Sequence, residues 1–338
     1  MPGPGSRKDR EVRATRSHLR FASLAFLVAV VVPASRVEAA SPGARPHVIA
    51  TVPVGDGPSG IGVNPRTNRA YVADARADTL SVIDGSTNQV IATVPVGSVP
   101  AAVGVNPSTN RIYVAQQGGG VAVVDGRTNT LFTTITLGNL PDGVAVVPQT
   151  NLIYVTNFLG GTVSVIDGST NTVIKTIPVG QSPLGIAANT TTNRIYVANV
   201  DSNTVSVIDG ATNMVIATVT GLGQNPTAVA VNETTNFIWV PGRAGNLIFA
   251  IDGSTNMLVS TLGVGSFPTG VTVVPRTNHV YTSNQNDNTV SVVDGTAFRL
   301  LGSSRVGLLP TDAEANIRTG HVFVSNQDSA TVTVIQDG

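Results

Sequence analysis

The 338-residue chain contains no cysteine. That excludes disulfides, cysteine-zinc sites, a cysteine nucleophile and a lipid anchor on an N-terminal cysteine. Charge is scarce as well: Asp, Glu, Lys and Arg make up 12%, about half the usual share. The four histidines are too few for copper or haem chemistry. Aromatics account for 4%, with a single tryptophan, so little is left for a stacking platform. No G-x-S-x-G elbow is present, and the GGG run at 118–120 leads into no helix, which excludes a phosphate loop. After residue 45 no apolar residues recur at helical spacing.

What the chain does have is Val, Gly, Thr and Asn, the residues of strands and tight turns. The first 39 residues stand apart. A basic stretch, SRKDREVRATRSHLR, precedes the apolar run FASLAFLVAVVV and then SRVEA. This is the pattern of a secretory signal peptide cut after Ala39. The run is too short for a comfortable membrane span, so none is expected once the leader is removed. No Arg-Arg pair is present, which favours the general export route. The product would be periplasmic, extracellular or on the cell surface. From Ala40 onward there are 13 Lys and Arg against 17 Asp and Glu, a net charge of −4. Such a balance gives no electrostatic case for a nucleic-acid partner.

Residues 40–338 are built on one repeat. Its aromatic anchor falls at Tyr71, Tyr113, Tyr154, Tyr196, Trp239, Tyr281 and Phe323, in steps of 41–43 residues. Within the first unit, GIGVN (60–64), RAYVAD (69–74), TLSVID (79–84) and QVIATVPV (89–96) alternate as strands, separated by turn residues. Four antiparallel strands at this period predict a propeller blade, and seven units predict a single seven-bladed β-propeller domain. Pro53, Pro95 and Pro178 share one slot in strand four. Proline lacks the N–H a central strand needs, so strand four is the outer rim. Strand one is then innermost, where Gly60, Gly62, Gly143 and Gly185 suit a crowded axis. The last unit ends after strand three at TVTVIQDG (331–338), while HVIATVPVG (47–55) has no strand three before it. Residues 46–55 are therefore expected to supply the outer strand of blade seven and close the ring.

The anchors open a tetrapeptide: YVTN (154–157), with YVAD (71–74), YVAQ (113–116), YVAN (196–199), YTSN (281–284) and FVSN (323–326). In these residues the chain resembles the YVTN family of β-propeller repeat proteins, of surface-layer and periplasmic type. The resemblance covers essentially all of the chain after the leader. WVPGRAG (239–245), with Pro241 in or just after strand two, departs most from it. The resemblance implies an exported binding or surface protein and no particular reaction.

Two sets of residues are candidates for ligand binding. In blade seven, strand one is TDAEAN (311–316), where Asp312 and Glu314 replace the small residues of most other blades. Residues two apart on a strand share a face, so both carboxylates point the same way. Partial burial and mutual repulsion would raise at least one of their pKa values. The second set lies where the copies differ most, in the loops between strands two and three and the links from strand four to strand one: Gln116, Gln117, Asn157, Phe158, Arg243, Phe267, Asn284, Gln285, Asn326 and Gln327. A scaffold constant at one end and varied at the other places recognition on the varied loops. A protein, peptide or glycan at the cell surface is the expected partner, bound by a monomer or a self-associating array. No catalytic or metal-binding residue is expected. His279 and His321 begin strand two in neighbouring blades and are expected to be solvated turn-side residues, too far from each other and from His47 to share a metal. No cofactor is expected, although calcium or magnesium is compatible with the Asp- and Asn-rich turns. The alternative function is a lactonase-like or lyase-like hydrolase with a cation at the channel mouth.

Overall fold

The computed structural model describes residues 45–338 apart from Gln224. The leader expected at 1–39 lies outside the described residues. Seven four-stranded antiparallel sheets form a seven-bladed β-propeller, and the described residues contain no α-helix. In blade one the strands are Pro58–Asn64, Arg69–Asp74, Thr79–Asp84 and Gln89–Pro95, in sequence order from axis to rim.

Blade seven closes the ring as its truncated repeat requires. Its inner strands are Pro310–Asn316, His321–Asn326 and Thr331–Gln336, and its outer strand is His47–Pro53 from the other end of the chain. The register runs from His47 opposite Gln336 to Pro53 opposite Thr331. Polar contacts also cross the closing seam. Thr311 Oγ1 donates to the Pro58 and Ser59 carbonyls at 3.2 and 3.3 Å, and Asn316 Nδ2 donates to Asn68 Oδ1 at 2.7 Å.

The strand-two anchors pack between blades. All five tyrosines and Trp239 are fully buried, and Phe323 nearly so. Strand one is crowded in the way its small residues suggest. A Cβ on Gly60 would lie 2.5 Å from the Ala101 carbonyl oxygen of blade two. The Asn ending strand one hydrogen-bonds the turn Asn of the next blade, as Asn64 Nδ2 does to Asn110 Oδ1 at 2.7 Å. Blade five breaks the pattern. Pro241 lies inside its second strand, Phe237–Gly242, and strand one shrinks to Ala230–Asn232. Proline has no N–H to offer the ladder, so pairing lapses beside it.

Every outer strand carries a bulge near its start, as between Val48 and Ala50 or Val90 and Ala92. The bulges and the rim prolines interrupt what would otherwise be a continuous edge for strand pairing.

Candidate functional site

The two ends of the ring are built from different turns. At one end lie the turns joining strands one to two and three to four. Their Asn residues, such as Asn68, Asn88 and Asn110, take left-handed φ values, a conformation Asn tolerates well. The Asp that ends strand three accepts the N–H two residues on; Asp84 Oδ1 and Asp252 Oδ1 do so from Ser86 and Ser254 at 2.8 Å.

The opposite end carries the varied loops. Seven residues open them: Ala75, Gln117, Phe158, Val200, Arg243, Gln285 and Gln327. Each donates its backbone N–H to the carbonyl of the residue preceding its blade's first proline, at 2.9–3.1 Å. Those acceptors are Gly57, Val99, Leu140, Ser182, Asn225, Phe267 and Leu309, all left-handed at φ 50–67°. A left-handed Val, Leu or Phe is strained, and the residue before proline normally favours extended backbone. One backbone device thus holds seven positions with five kinds of side chain around one end of the ring.

Five of the twelve expected site residues meet in this arrangement: Gln117, Arg243, Gln285 and Gln327 line the channel mouth, and Phe267 lies under the arginine. The Arg243 guanidinium carbon sits 4.9 Å from the Phe267 ring centroid, and its buried Nε finds no partner among the described residues. Burial lowers the Arg243 pKa. No carboxylate among the described residues lies within ion-pair distance of it. Phe158 is half-buried, at the start of the short 3-10 turn Phe158–Gly160.

Gln116, Asn157, Asn284 and Asn326 correct the expectation that they stand on this face. Each is the last residue of strand two, is buried, and turns into its own blade. Asn157 Nδ2 donates to Thr162 Oγ1 and Ser164 Oγ at 2.9 Å; Asn284 and Asn326 make the same pair of bonds to strand three. Gln116 donates instead to the Val96 carbonyl, because blade two has Gly120 and Ala122 where the hydroxyls would be. These amides plug the blade and do not reach the channel. The signal was in the sequence: an Asn followed five and seven residues later by hydroxyl side chains.

The channel itself is about 1000 Å³, lined by strand one of all seven blades. Its wall is chiefly Gly, Ala, Val and Ile, interrupted on strand one by Asp142, Asp312 and Glu314; Glu233 lines the turn end, where it accepts from Thr190 N at 2.6 Å. Asp312 and Glu314 do share one side of their strand. Asp312 is tied into the seam: its Oδ2 accepts from Ile61 N of blade one, and its Oδ1 from Ala313 N, both at 2.9 Å. Glu314 has no hydrogen-bond partner among the described residues. Burial, then the Asp312 charge, pushes its carboxyl up to about 8. Burial raises Asp312 to about 6, against the two backbone N–H groups and with a further push from Asp142. Asp142 is the site residue that sequence reasoning missed. It hides in PDGVAVV, where Asp before Gly looks like turn chemistry. Burial raises it to about 6, and Gln117 Nε2 donates to it at 2.8 Å.

The histidines also differ from expectation. His279 is half-buried, with its Nδ1 2.6 Å from Asp337 Oδ1. Tyr281 Oη and Thr277 Oγ1 donate to the same carboxylate at 2.5 and 2.6 Å. Asp337 occupies the slot that is Gly in the other blades, and Gly320 occupies the slot of their turn Asn. The two exchanges fit each other, because the Asn side chain elsewhere covers that glycine, as Asn68 Oδ1 covers Gly85. His321 is half-buried, and desolvation lowers its pKa. His47 remains exposed. Among the described residues no three acidic or histidine side chains converge closely enough to hold a metal ion. Nor is any described helix long and apolar enough to cross a membrane.

Comparison with known proteins agrees with the architecture. The family model described as YNCE-like beta-propeller matches residues 136–337. A solved structure of Kuenenia stuttgartiensis hydrazine synthase is similar with a TM-score of 0.75 and 18% identity, covering 83% of this chain and 96% of that one. At that identity the likeness is one of fold. In all, 1763 solved chains match, so the fold is shared too widely to indicate one activity. No curated protein matches.

Proposed function

Because the chain belongs to the YNCE-like β-propeller family, we propose that it is an exported, non-enzymatic binding module of the YVTN repeat type. It holds a protein, peptide or glycan at the cell surface through the loop-diverse end. The mouth ring carries this reading. Seven positions are held by one repeated hydrogen bond, yet they display Ala, Gln, Phe, Val, Arg, Gln and Gln. Folding alone would favour Gly or Asn at the left-handed residues beneath them, as at the opposite end. Five blades accept strain there instead, and stored backbone strain gathers at ligand clamps. Three glutamines and one unpaired arginine supply the donors and acceptors a polar, largely neutral partner needs.

The test is a screen of the purified protein on glycan and cell-wall peptide arrays. A variant with Gln117, Arg243, Gln285 and Gln327 all changed to alanine should lose the binding partner while melting at the same temperature. A turn-end variant, Arg127→Ala with Ser169→Ala, should keep it. Undiminished binding by the mouth variant would sink the reading.

A further inference from the structure

The channel has chemistry the mouth does not explain. Along the strand-one layer, carboxylates stand at the second residue of blade three (Asp142) and at the third and fifth residues of blade seven (Asp312, Glu314). A strand rises about 3.3 Å per residue, so the acidic groups step inward from the loop-diverse mouth over roughly 10 Å. Asp312 senses the charge of Asp142, and Glu314 that of Asp312, so the three form one connected series. The wall between them is aliphatic. Of the three, Glu314 is half-buried on the channel wall and has no hydrogen-bond partner among the described residues. A carboxyl set in an aliphatic wall without a protein donor is open to a ligand that brings donors.

We infer that the axial channel binds a linear alkyl diammonium or polyamine, whose methylenes lie on the aliphatic wall and whose ammonium groups meet Glu314 and Asp142. An ammonium brings three donors and no acceptor, matching Glu314, which has no protein donor, and Asp142, which has one, from Gln117. A bare divalent cation fits less well: it needs several converging oxygens, and both Asp312 oxygens already serve backbone N–H groups. Among the described residues Arg243 is the one basic side chain on the wall, and it lies at the mouth over Phe267. It opposes entry of a cation and so sets a second, opposite lever. The inference goes beyond the mouth-ring reading: a chain with no macromolecular partner is still expected to take the amine.

The full-length protein is titrated calorimetrically with a homologous series of α,ω-diaminoalkanes, alongside the matching monoamines and diols. One chain length should bind saturably and more tightly than its controls. Glu314→Gln should weaken it about tenfold, the factor for one lost charge-assisted hydrogen bond. Asp142→Asn should weaken it, and Arg243→Gln should strengthen it. Affinity should rise between about pH 6 and about pH 9, with proton release on binding, because an ammonium favours ionised Glu314. The strands packed against that of Glu314 bring His279, Tyr281 and His321 as further titratable groups; the two histidines stand at the turn end, and the Tyr281 hydroxyl donates to Asp337 there. Glu314→Gln removes a confined acid and should melt no lower than the parent, so a loss of affinity cannot be charged to unfolding. No saturable binding at any chain length would overturn the inference, as would equal affinity in the parent, Glu314→Gln and Asp142→Asn.

Discussion

Where carboxyl pKa values are shifted, they are shifted in opposite directions at the two ends. At the turn end Asp84, Asp125, Asp167, Asp209, Asp252, Asp294 and Asp337 all have lowered pKa values. In the first five, donated hydrogen bonds lead the causes; in Asp294 and Asp337 desolvation is larger but is outweighed by such bonds. At the loop-diverse end and in the channel, Asp74, Asp142, Asp312 and Glu314 are raised, each chiefly by burial. One end spends its polar groups on its own turns. The other keeps carboxylates and a guanidinium that the fold leaves partly unsatisfied. The first pattern is what a repeat needs to fold, and the second is what it needs to meet something else.

Breaking the turn end should cost the most. Asp337→Ala strands three donors, from Tyr281, His279 and Thr277, and should destabilise by about 3 kcal/mol in denaturant unfolding. Asp337→Gly combined with Gly320→Asn restores the arrangement of the other blades and should recover most of that loss. A double variant no better than Asp337→Gly would refute the exchange of the two slots.

Acid and base should then separate the ends. The folded pKa of Asp337 is depressed, so its stabilisation is present above about 4 and lost as pH falls through the folded value. Glu314 is raised from 4.5 to about 8. It favours the fold fully below its unfolded value, and that contribution is lost as pH rises through about 8. Glu314→Gln should therefore leave the unfolding free energy unchanged near pH 4.5 and raise it near pH 9, by on the order of 1–2 kcal/mol after screening in the channel. A gain at pH 4.5 equal to that at pH 9 would show that the carboxyl is not the cause.

The smallest effect belongs to the strained backbone. Val99 has φ 50°, and Val99→Gly relieves the strain while adding unfolded-state entropy. A stabilisation of less than about 1 kcal/mol is expected. A clear loss would mean that the valine side chain contributes packing worth more than the strain. The two ends would then differ less than their turns suggest.

Much of this was legible along the chain. The anchors from Tyr71 to Phe323 gave the period, Pro53 and its equivalents marked the rim, and the truncated last repeat required the closing strand. Four polar residues misled, because Gln116, Asn157, Asn284 and Asn326 end a strand where loop and blade interior look alike in one dimension. Their partners, such as Ser164 and Thr333, lie one strand away and reveal the direction only once paired. Asp337 drew no notice in the terminal QDG, because its partners lie 56–60 residues earlier.

The sequence by itself determined the strands, their number and the closed ring. Alternation, turn chemistry and repeat length act within one blade, and each blade states them again. Only the tertiary structure decided which polar groups face the channel and which way each carboxylate titrates. Those properties depend on solvent access and on charges from other blades: Asp142 bears on Asp312 from 170 positions away in the chain, and no local pattern encodes that meeting.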